Sequence, residues 1–334
     1  MSFRPGPALI ADIGGTNARF ALVNEAGAVT ATERVRTLDF PGPVEAARAI
    51  IDRHASHAPP RRAVWAVACP VADDTIRLTN SPWTFSVADA RAALGFDSLR
   101  VLNDFAANAL AIPDLTDADS VTVGPDRAGR RDAPIAAIGP GTGLGVALLL
   151  PDGSGGWRPQ ATEGGHATLA AADAEEARVI EHLWAEYEHV SAERLISGPG
   201  LLLLHRTLGA VGLAQGPDLE TSREVTEAAA RGDDPRAARA VAMMFAMLGT
   251  VAGNLVLSAG ALGGVFILGG IVPATLPLFQ ASPFRARFEA KGRFRTYMSS
   301  VPTRVVTHPN PAFPGLLRAL RDDADSGLGP GGAA

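Results

Sequence analysis

The sequence has very little lysine and cysteine. Its 334 residues include 29 arginines but one lysine, Lys291, so a phosphate loop that needs its own lysine is excluded. The one cysteine, Cys69, can form neither an internal disulfide nor a multi-cysteine zinc site, which is typical of a reducing compartment. Residues 1–13 contain no apolar stretch of signal-peptide length. We therefore expect a cytoplasmic protein.

A concentrated positive charge is also missing. The formal net charge is −5 and the basic residues form no long run. Proteins that bind nucleic acid usually carry a basic patch that neutralises phosphates. We expect no nucleic-acid partner.

One long segment lacks charge altogether, because residues 240–284 contain no Asp, Glu, Lys or Arg. A membrane-spanning helix needs about 20 uninterrupted apolar residues. Here glycines recur, and Pro273 and Pro277 follow. The pattern favours a buried helix over about 237–257, a buried strand over 265–268 and a second helix from about Pro273. We expect no association with a membrane.

Two segments share one arrangement of residues. In each, a short apolar strand is followed by a glycine-rich turn with a threonine and then by a second apolar strand; the segments cover 8–23 and 135–150. Strand and helix patterns alternate along the rest of the chain, with a helix expected over 174–187 and helical composition over 218–239, and the length suits two domains. The sequence therefore predicts an α/β protein with a duplicated hairpin, one copy in each domain.

Neither turn matches the common nucleotide-binding loops. The lysine of a P-loop is absent, and the glycines from 139 to 145 alternate without the third glycine of the dinucleotide pattern. Each turn alone could be a simple hairpin turn. Two copies with threonine favour a phosphate site, and Asp12 before the first turn suits Mg²⁺. A third glycine pair, Gly269 and Gly270, ends a buried strand and could lie against a base or a ribose.

Three further segments carry polar groups whose roles remain open on the residues alone. Asp104 could be a helix cap or a catalytic carboxylate. Glu163 and His166 could be loop residues or ligands, and the glycines between them disfavour a helical metal motif. Glu193 could be an ordinary carboxylate on a helix surface.

Six motifs, taken together and in order, resemble bacterial glucokinase of the proteobacterial type. They are DIGGTN, LNDF, GPGTGLG, EGGH, SAERLISGPG and GGVFILGGIVP, and the resemblance extends over residues 8–320. That family belongs to the hexokinase, Hsp70 and actin superfamily. The resemblance implies two ribonuclease-H-like domains with an active-site cleft between them, a homodimer, and ATP-dependent phosphorylation of D-glucose at its 6-hydroxyl, which feeds glycolysis.

The resemblance also implies a role for each motif residue. Asp104 would be the general base, and the glucose ligands would be Asn103, Asp104, Glu163, His166 and Glu193. Asp12 would lie near Mg²⁺, through water. The residues around ATP would be Ala11, Asp12, Ile13, Gly14, Gly15, Thr16, Gly141, Thr142, Gly143, Gly269 and Gly270.

Domain boundaries follow from the same comparison. Residues 1–114 with about 305–321 are expected to form a small α/β domain, residues 115–304 a large one, and 322–334 a disordered tail. Two other functions remain open: a kinase for another hexose or amino sugar, and a non-catalytic regulator that senses sugar.

Overall fold

The computed structural model describes residues 7–325. Within these residues the chain divides into two compact units, one made of residues 7–114 and 309–325 and the other of residues 115–308. Residues 305–308, which the sequence analysis assigned to the small domain, therefore lie in the second unit. The reason is that strand β13, Thr303–Val306, pairs with the sheet of that unit.

The first unit is built on a five-stranded sheet. Its strand order is β3-β2-β1-β4-β7, in which β1, β2 and β3 are antiparallel and β4 and β7 run parallel to β1. Numbered along the chain, its strands are β1 Ala8–Ile13, β2 Asn17–Val23, β3 Val29–Arg36, β4 Arg62–Val67 and β7 Ser98–Asn103, with a separate hairpin of β5 Thr75–Arg77 and β6 Thr84–Ser86. Its helices are α1 Pro43–His54, α2 Val87–Leu94, α3 Asp104–Leu110 and α13 Ala312–Asp325.

The second unit repeats this strand order. Its sheet has the order β11-β10-β9-β12-β13-β8, so an antiparallel trio is again followed by two strands parallel to the first. The strands are β8 Ser120–Thr122, β9 Ile135–Pro140, β10 Leu144–Pro151, β11 Trp157–Thr162, β12 Gly264–Ile267 and β13. The helices are α4 Ala174–Leu183, α5 Ala192–Leu195, α6 Gly198–Ala210, α7 Ser222–Arg231, α8 Pro235–Ala259, α9 Ile271–Ala274, α10 Leu276–Gln280, α11 Phe284–Glu289 and α12 Arg295–Ser299. The prediction of an α/β protein with one hairpin in each domain is confirmed.

Helix α8 forms the centre of the core in the second unit. It is long and apolar enough to cross a membrane, but 72% of its most apolar 18-residue window is buried inside the protein. Asp234 caps its first turn, and Gly260 ends it in the left-handed conformation with φ +64°. Gly249 lets α11 approach closely, since a Cβ there would lie 2.3 Å from the Phe284 carbonyl oxygen. This helix therefore packs as a core helix of a globular unit.

Several predicted boundaries differ from the structure. The helix expected over 174–187 ends at Leu183, and the stretch from 218 to 239, expected to be helical throughout, divides into α7 and the start of α8 at Gly232. Helix α13 continues to Asp325, so the prediction of disorder from Asp322 was wrong for residues 322–325. The remainder of the predicted tail lies outside the described residues.

Lys291 supports helix α8 from the side. Its ammonium Nζ donates hydrogen bonds to the Thr250 carbonyl oxygen at 3.1 Å and to Asn254 Oδ1 at 2.6 Å. The side-chain stem packs against the same helix, because a Cβ on Gly253 would lie 2.6 Å from Lys291 Cε. Both contacts indicate a structural role for the only lysine.

We expect Lys291→Ala to lower the free energy of unfolding by about 1–3 kcal/mol, since a charged donor to α8 is removed. Turnover at temperatures well below the melting transition should stay near normal. Lys291→Met is the matched control because it keeps the stem and removes the donors, so it separates hydrogen bonding from packing. Thermal melts and a steady-state assay measure both quantities, and a large loss of turnover in folded protein would contradict a purely structural lysine.

Candidate active site

The first glycine turn joins β1 to β2 at the edge of the first sheet. The Gly14 N–H donates to the Asn17 carbonyl oxygen at 3.0 Å and closes the turn. A Cβ on Gly15 would lie 2.7 Å from the carbonyl oxygen of Asn80, so this position requires glycine. Thr16, which follows Gly15, is exposed. A strand follows the turn, as predicted, so no helix N-terminus is available here.

Asp12 lies near the end of β1, opposite Arg19 on β2. Burial raises the pKa of Asp12, and the nearby charge of Arg19 offsets this effect only in part. The ionised carboxylate is therefore short of compensating charge in this position. A hydrated Mg²⁺ beside the turn would supply that charge, so the site fits the predicted metal.

Asn103 and Asp104 lie at the same edge of the sheet as the first turn. The register aligns Ile13 with Val67 and Val67 with Asn103. The end of β7 is thus level with the end of β1 and two strands away, about 10 Å at the usual strand spacing.

Asn103, rather than Asp104, caps helix α3. Asn103 Oδ1 accepts from the backbone N–H groups of Phe105 at 3.0 Å and Ala106 at 3.1 Å. Its Nδ2 donates to the Cys69 carbonyl oxygen at 3.3 Å and to Asp104 Oδ1 at 3.2 Å. Both ends of the amide are engaged inside the first unit. A bond from Asn103 to a sugar hydroxyl therefore requires one of these contacts to be exchanged.

The Asp104 carboxylate accepts hydrogen bonds from two neighbouring groups. Its Oδ1 accepts from the Phe105 N–H at 2.8 Å in addition to the Asn103 amide. These two donors fix the orientation of the carboxylate at the start of helix α3. This arrangement suits a group that must accept a proton at a defined position.

The second glycine turn joins β9 to β10 in the second unit. The Gly141 N–H donates to the Gly143 carbonyl oxygen at 2.7 Å, while the Gly141 carbonyl accepts from the N–H of Gly198 at 2.8 Å. Thr142 is exposed at the tip, like Thr16 in the first turn. At the end of the turn the Leu144 N–H donates to Glu193 Oε2 at 2.8 Å.

Three of the predicted sugar ligands lie together in the second unit. His166 Nε2 is 3.9 Å from Glu163 Oε2, and His166 Nδ1 is 3.9 Å from Glu193 Oε1. The side chains of Glu163 and His166 are 59% and 60% exposed and that of Glu193 is 32% exposed, so all three can reach a ligand. These separations exceed hydrogen-bonding distance, so a ligand hydroxyl could approach from the side and bond to two of these groups at once.

Backbone contacts hold the two segments that carry these ligands. The Leu169 N–H donates to the Val190 carbonyl at 3.0 Å, and the Ala192 N–H donates to the Ala167 carbonyl at 2.9 Å. His189 Nε2 lies 2.9 Å from the carbonyl oxygen of His166. No sequence motif marks His189, so its contact with the His166 backbone could not be predicted from the sequence.

A cavity of about 500 Å³ opens beside this cluster. Its walls include Thr142 of the second turn, His166 and Glu193, and beyond them Tyr187 and Arg194. The Arg194 guanidinium lies over the Tyr187 ring at 4.3 Å from its centroid. His166, Glu193 and the tip of the second turn thus share one cavity.

The third glycine pair lies against the second turn. A Cβ on Gly269, which has φ +83°, would lie 2.5 Å from the Pro140 carbonyl oxygen, and one on Gly139 would lie 2.4 Å from the Leu268 carbonyl oxygen. Gly270 is exposed and faces open space. The glycines at 139 and 269 are needed for the close approach of β9 and β12, whereas Gly270 leaves a surface uncovered.

Within residues 7–325, no group of three or more His, Cys, Asp or Glu side chains could hold a metal ion.

Known proteins resemble this chain over most of its length. The family model described as glucokinase matches residues 9–323. A glucokinase from Paramagnetospirillum magneticum is 47% identical over 320 residues, which are 94% of this chain and 97% of the relative. A bifunctional protein of Burkholderia pseudomallei is 42% identical over 329 residues, although the chain spans only 51% of its length. A crystal structure of a glucokinase from an Antarctic psychrotroph, 35% identical, superposes with a TM-score of 0.85 over 96% of this chain and 99% of that one.

The duplicated fold and the glycine turns define a sugar kinase with the actin-like ATPase fold. The match to the family model and the sequence identity to relatives covered over most of their length identify the particular family. The chain belongs to the glucokinase family, which consists of enzymes that use ATP.

We expect Asp12→Asn to raise the melting temperature of the ligand-free protein and to reduce turnover at least about tenfold. Because the folded-state pKa of Asp12 is raised, its ionised form lowers stability at neutral pH. As the pH falls through that pKa the wild type takes up the proton, so the difference in melting temperature should narrow in acid. Thermal melts of the wild type and Asp12→Asn across a pH series measure this difference. A variant less stable than the wild type at neutral pH would contradict a destabilising buried carboxylate at Asp12.

Proposed function

We propose that Asp104 is the general base when this glucokinase transfers the γ-phosphoryl group of ATP to the 6-hydroxyl of D-glucose. The observation that carries the proposal is the position of Asp104, anchored through Oδ1 at the sheet edge that also holds the first glycine turn. Phosphoryl transfer to an alcohol needs a carboxylate that orients the hydroxyl and accepts its proton. Asp104 meets that need, and Asn103 holds it in place.

The glucose ligands on the second unit are Glu163, His166 and Glu193. A carboxylate can accept hydrogen bonds from two neighbouring hydroxyls, and the imidazole can donate or accept. The 3.9 Å separations on either side of His166 support this assignment, because one sugar hydroxyl can bond to two of these side chains from the side. Asn103 contributes to glucose binding by exchanging its contact with Cys69 or Asp104 for a sugar hydroxyl.

ATP binds to the glycine turns through main-chain N–H groups. Lys291 is engaged with helix α8, and the turns offer backbone donors and the Thr16 and Thr142 hydroxyls. The exposed pair Gly269–Gly270 adjoins the second turn and suits contact with the nucleoside. Mg²⁺, held near Asp12 through water, would neutralise charge on the phosphates. Ala11 and Ile13 flank Asp12 at the end of β1 and are the remaining residues proposed to lie around ATP there.

Water must be kept from the phosphates while glucose reacts, because water that reached them would hydrolyse ATP wastefully. The same relationship to the family suggests a cytoplasmic homodimer whose product, glucose 6-phosphate, feeds glycolysis.

Asp104→Ala tests the general-base role directly. Turnover should fall by a factor of at least about 10³, because the proton acceptor is lost, while the dissociation constant for glucose should rise by less than about tenfold, because the other glucose ligands remain. Coupled detection of ADP across a panel of hexoses gives the turnover and the sugar preference, and titration calorimetry gives the glucose affinity.

The matched control is Asp52→Asn, which removes an exposed carboxylate from helix α1 of the same unit. It should leave both quantities unchanged. An Asp104→Ala enzyme within tenfold of the wild-type turnover would remove Asp104 from the base role. A wild-type protein that releases ADP with another hexose but not with glucose would overturn the substrate assignment.

A further inference from the structure

The two glycine turns share a feature beyond their sequences. In each, the carbonyl group of the glycine that precedes the exposed threonine accepts a hydrogen bond from a group outside the hairpin. The Gly141 carbonyl oxygen accepts from the backbone N–H of Gly198 at 2.8 Å. The Gly15 carbonyl oxygen accepts from the side-chain hydroxyl of Thr37 at 2.8 Å.

Thr37 makes a second contact with the same turn. Its backbone N–H donates to the Thr16 carbonyl oxygen at 3.0 Å. Thr37 begins a short 3₁₀ turn directly after β3 and is completely buried, with 0% of its surface exposed. Thr16, by contrast, is exposed. The buried Thr37 thus holds two carbonyl groups of the turn, and Thr16 lies at the protein surface.

The hydroxyl bond fixes the direction of one N–H group. The peptide unit is planar and trans, so its C=O and N–H groups point in opposite directions. The Gly15 carbonyl and the Thr16 N–H belong to one peptide unit. With the carbonyl held by Thr37, the Thr16 N–H must point outward, where the phosphates of a nucleotide are proposed to bind.

Glycine makes this restraint necessary. A glycine peptide can rotate between several conformations at little cost, because no Cβ restricts it. Without the hydroxyl of Thr37, the Gly15–Thr16 peptide plane would lose the bond that selects one orientation. In the second turn the backbone of Gly198 provides this bond, whereas in the first turn it depends on a side chain and can be removed by substitution.

We propose that Thr37 is a positioning residue that aims the Thr16 N–H at the phosphates of ATP. This inference rests on the proposed binding of nucleotide at the first turn. It assigns a role in ATP recognition to a buried residue outside the glycine-rich motifs. Thr37 itself does not contact substrate.

The test compares Thr37→Val and Thr37→Ala with Thr37→Ser. Valine has nearly the volume of threonine but no hydroxyl, alanine removes the same group with less bulk, and serine retains it. All three keep the backbone N–H of residue 37. Thr30→Val is the matched control, because it removes a threonine hydroxyl that donates to the Leu22 carbonyl at 3.3 Å on the same strand pair, away from the turn.

For the folded valine and alanine variants, kcat/KM for ATP should fall about tenfold or more, since an oriented donor to the phosphates is lost. The KM for glucose should stay within about twofold, and Thr37→Ser and Thr30→Val should resemble the wild type. Melting temperatures of all variants separate this effect from a loss of stability.

Three outcomes overturn the inference: wild-type ATP kinetics in either hydroxyl-free variant, an equal rise in the KM values for ATP and glucose, or failure of serine to restore ATP kinetics. If neither hydroxyl-free variant folds while serine does, Thr37 is a stability residue and the inference is also rejected. A wild-type protein without ATP-dependent glucose phosphorylation would instead be a failure of the proposed function, so the two are distinguishable.

Discussion

The proposed recognition of phosphate by main-chain N–H groups is the constraint on which the rest of this account depends. The only lysine supports helix α8, so the glycine turns have backbone amides and threonine hydroxyls to offer a nucleotide. Such amides are effective only when their peptide planes are fixed beforehand, since a donor that must reorient gives little stabilisation during phosphoryl transfer. Both turns meet this requirement through carbonyl groups held by Thr37 and Gly198.

The duplicated sheet explains where the remaining groups lie. Each turn follows the first strand of an antiparallel trio, and parallel strands on the other side of that strand end at the same edge. In the first unit that edge holds Asn103 and Asp104, and in the second it holds Gly269. Glu193 lies between His166 and the second turn, because its Oε1 faces His166 and its Oε2 accepts from the Leu144 N–H.

Much of this arrangement could be predicted from the sequence, because the strands are apolar runs that end in glycine. The two hairpins and the central helix follow from local patterns, whereas the roles of Asp104, Glu163 and Glu193 follow only from the resemblance of their motifs to a known family. What could not be predicted depends on contacts between distant residues. The hydrogen bond from Thr37 to Gly15 spans 22 residues and that from Leu144 to Glu193 spans 49, and no local motif marks either. The break between α7 and α8 was missed because Gly232 and the capping residue Asp234 lie within a stretch of otherwise helical composition.

The most direct measurement is the NMR response of the Thr16 and Thr142 amide protons when a non-hydrolysable ATP analogue and Mg²⁺ are added to the glucose-bound protein. If main-chain donors hold the phosphates, both amide signals should shift and exchange more slowly with solvent at saturation. Saturating binding of the nucleotide that leaves both amides unchanged in shift and exchange would contradict the account.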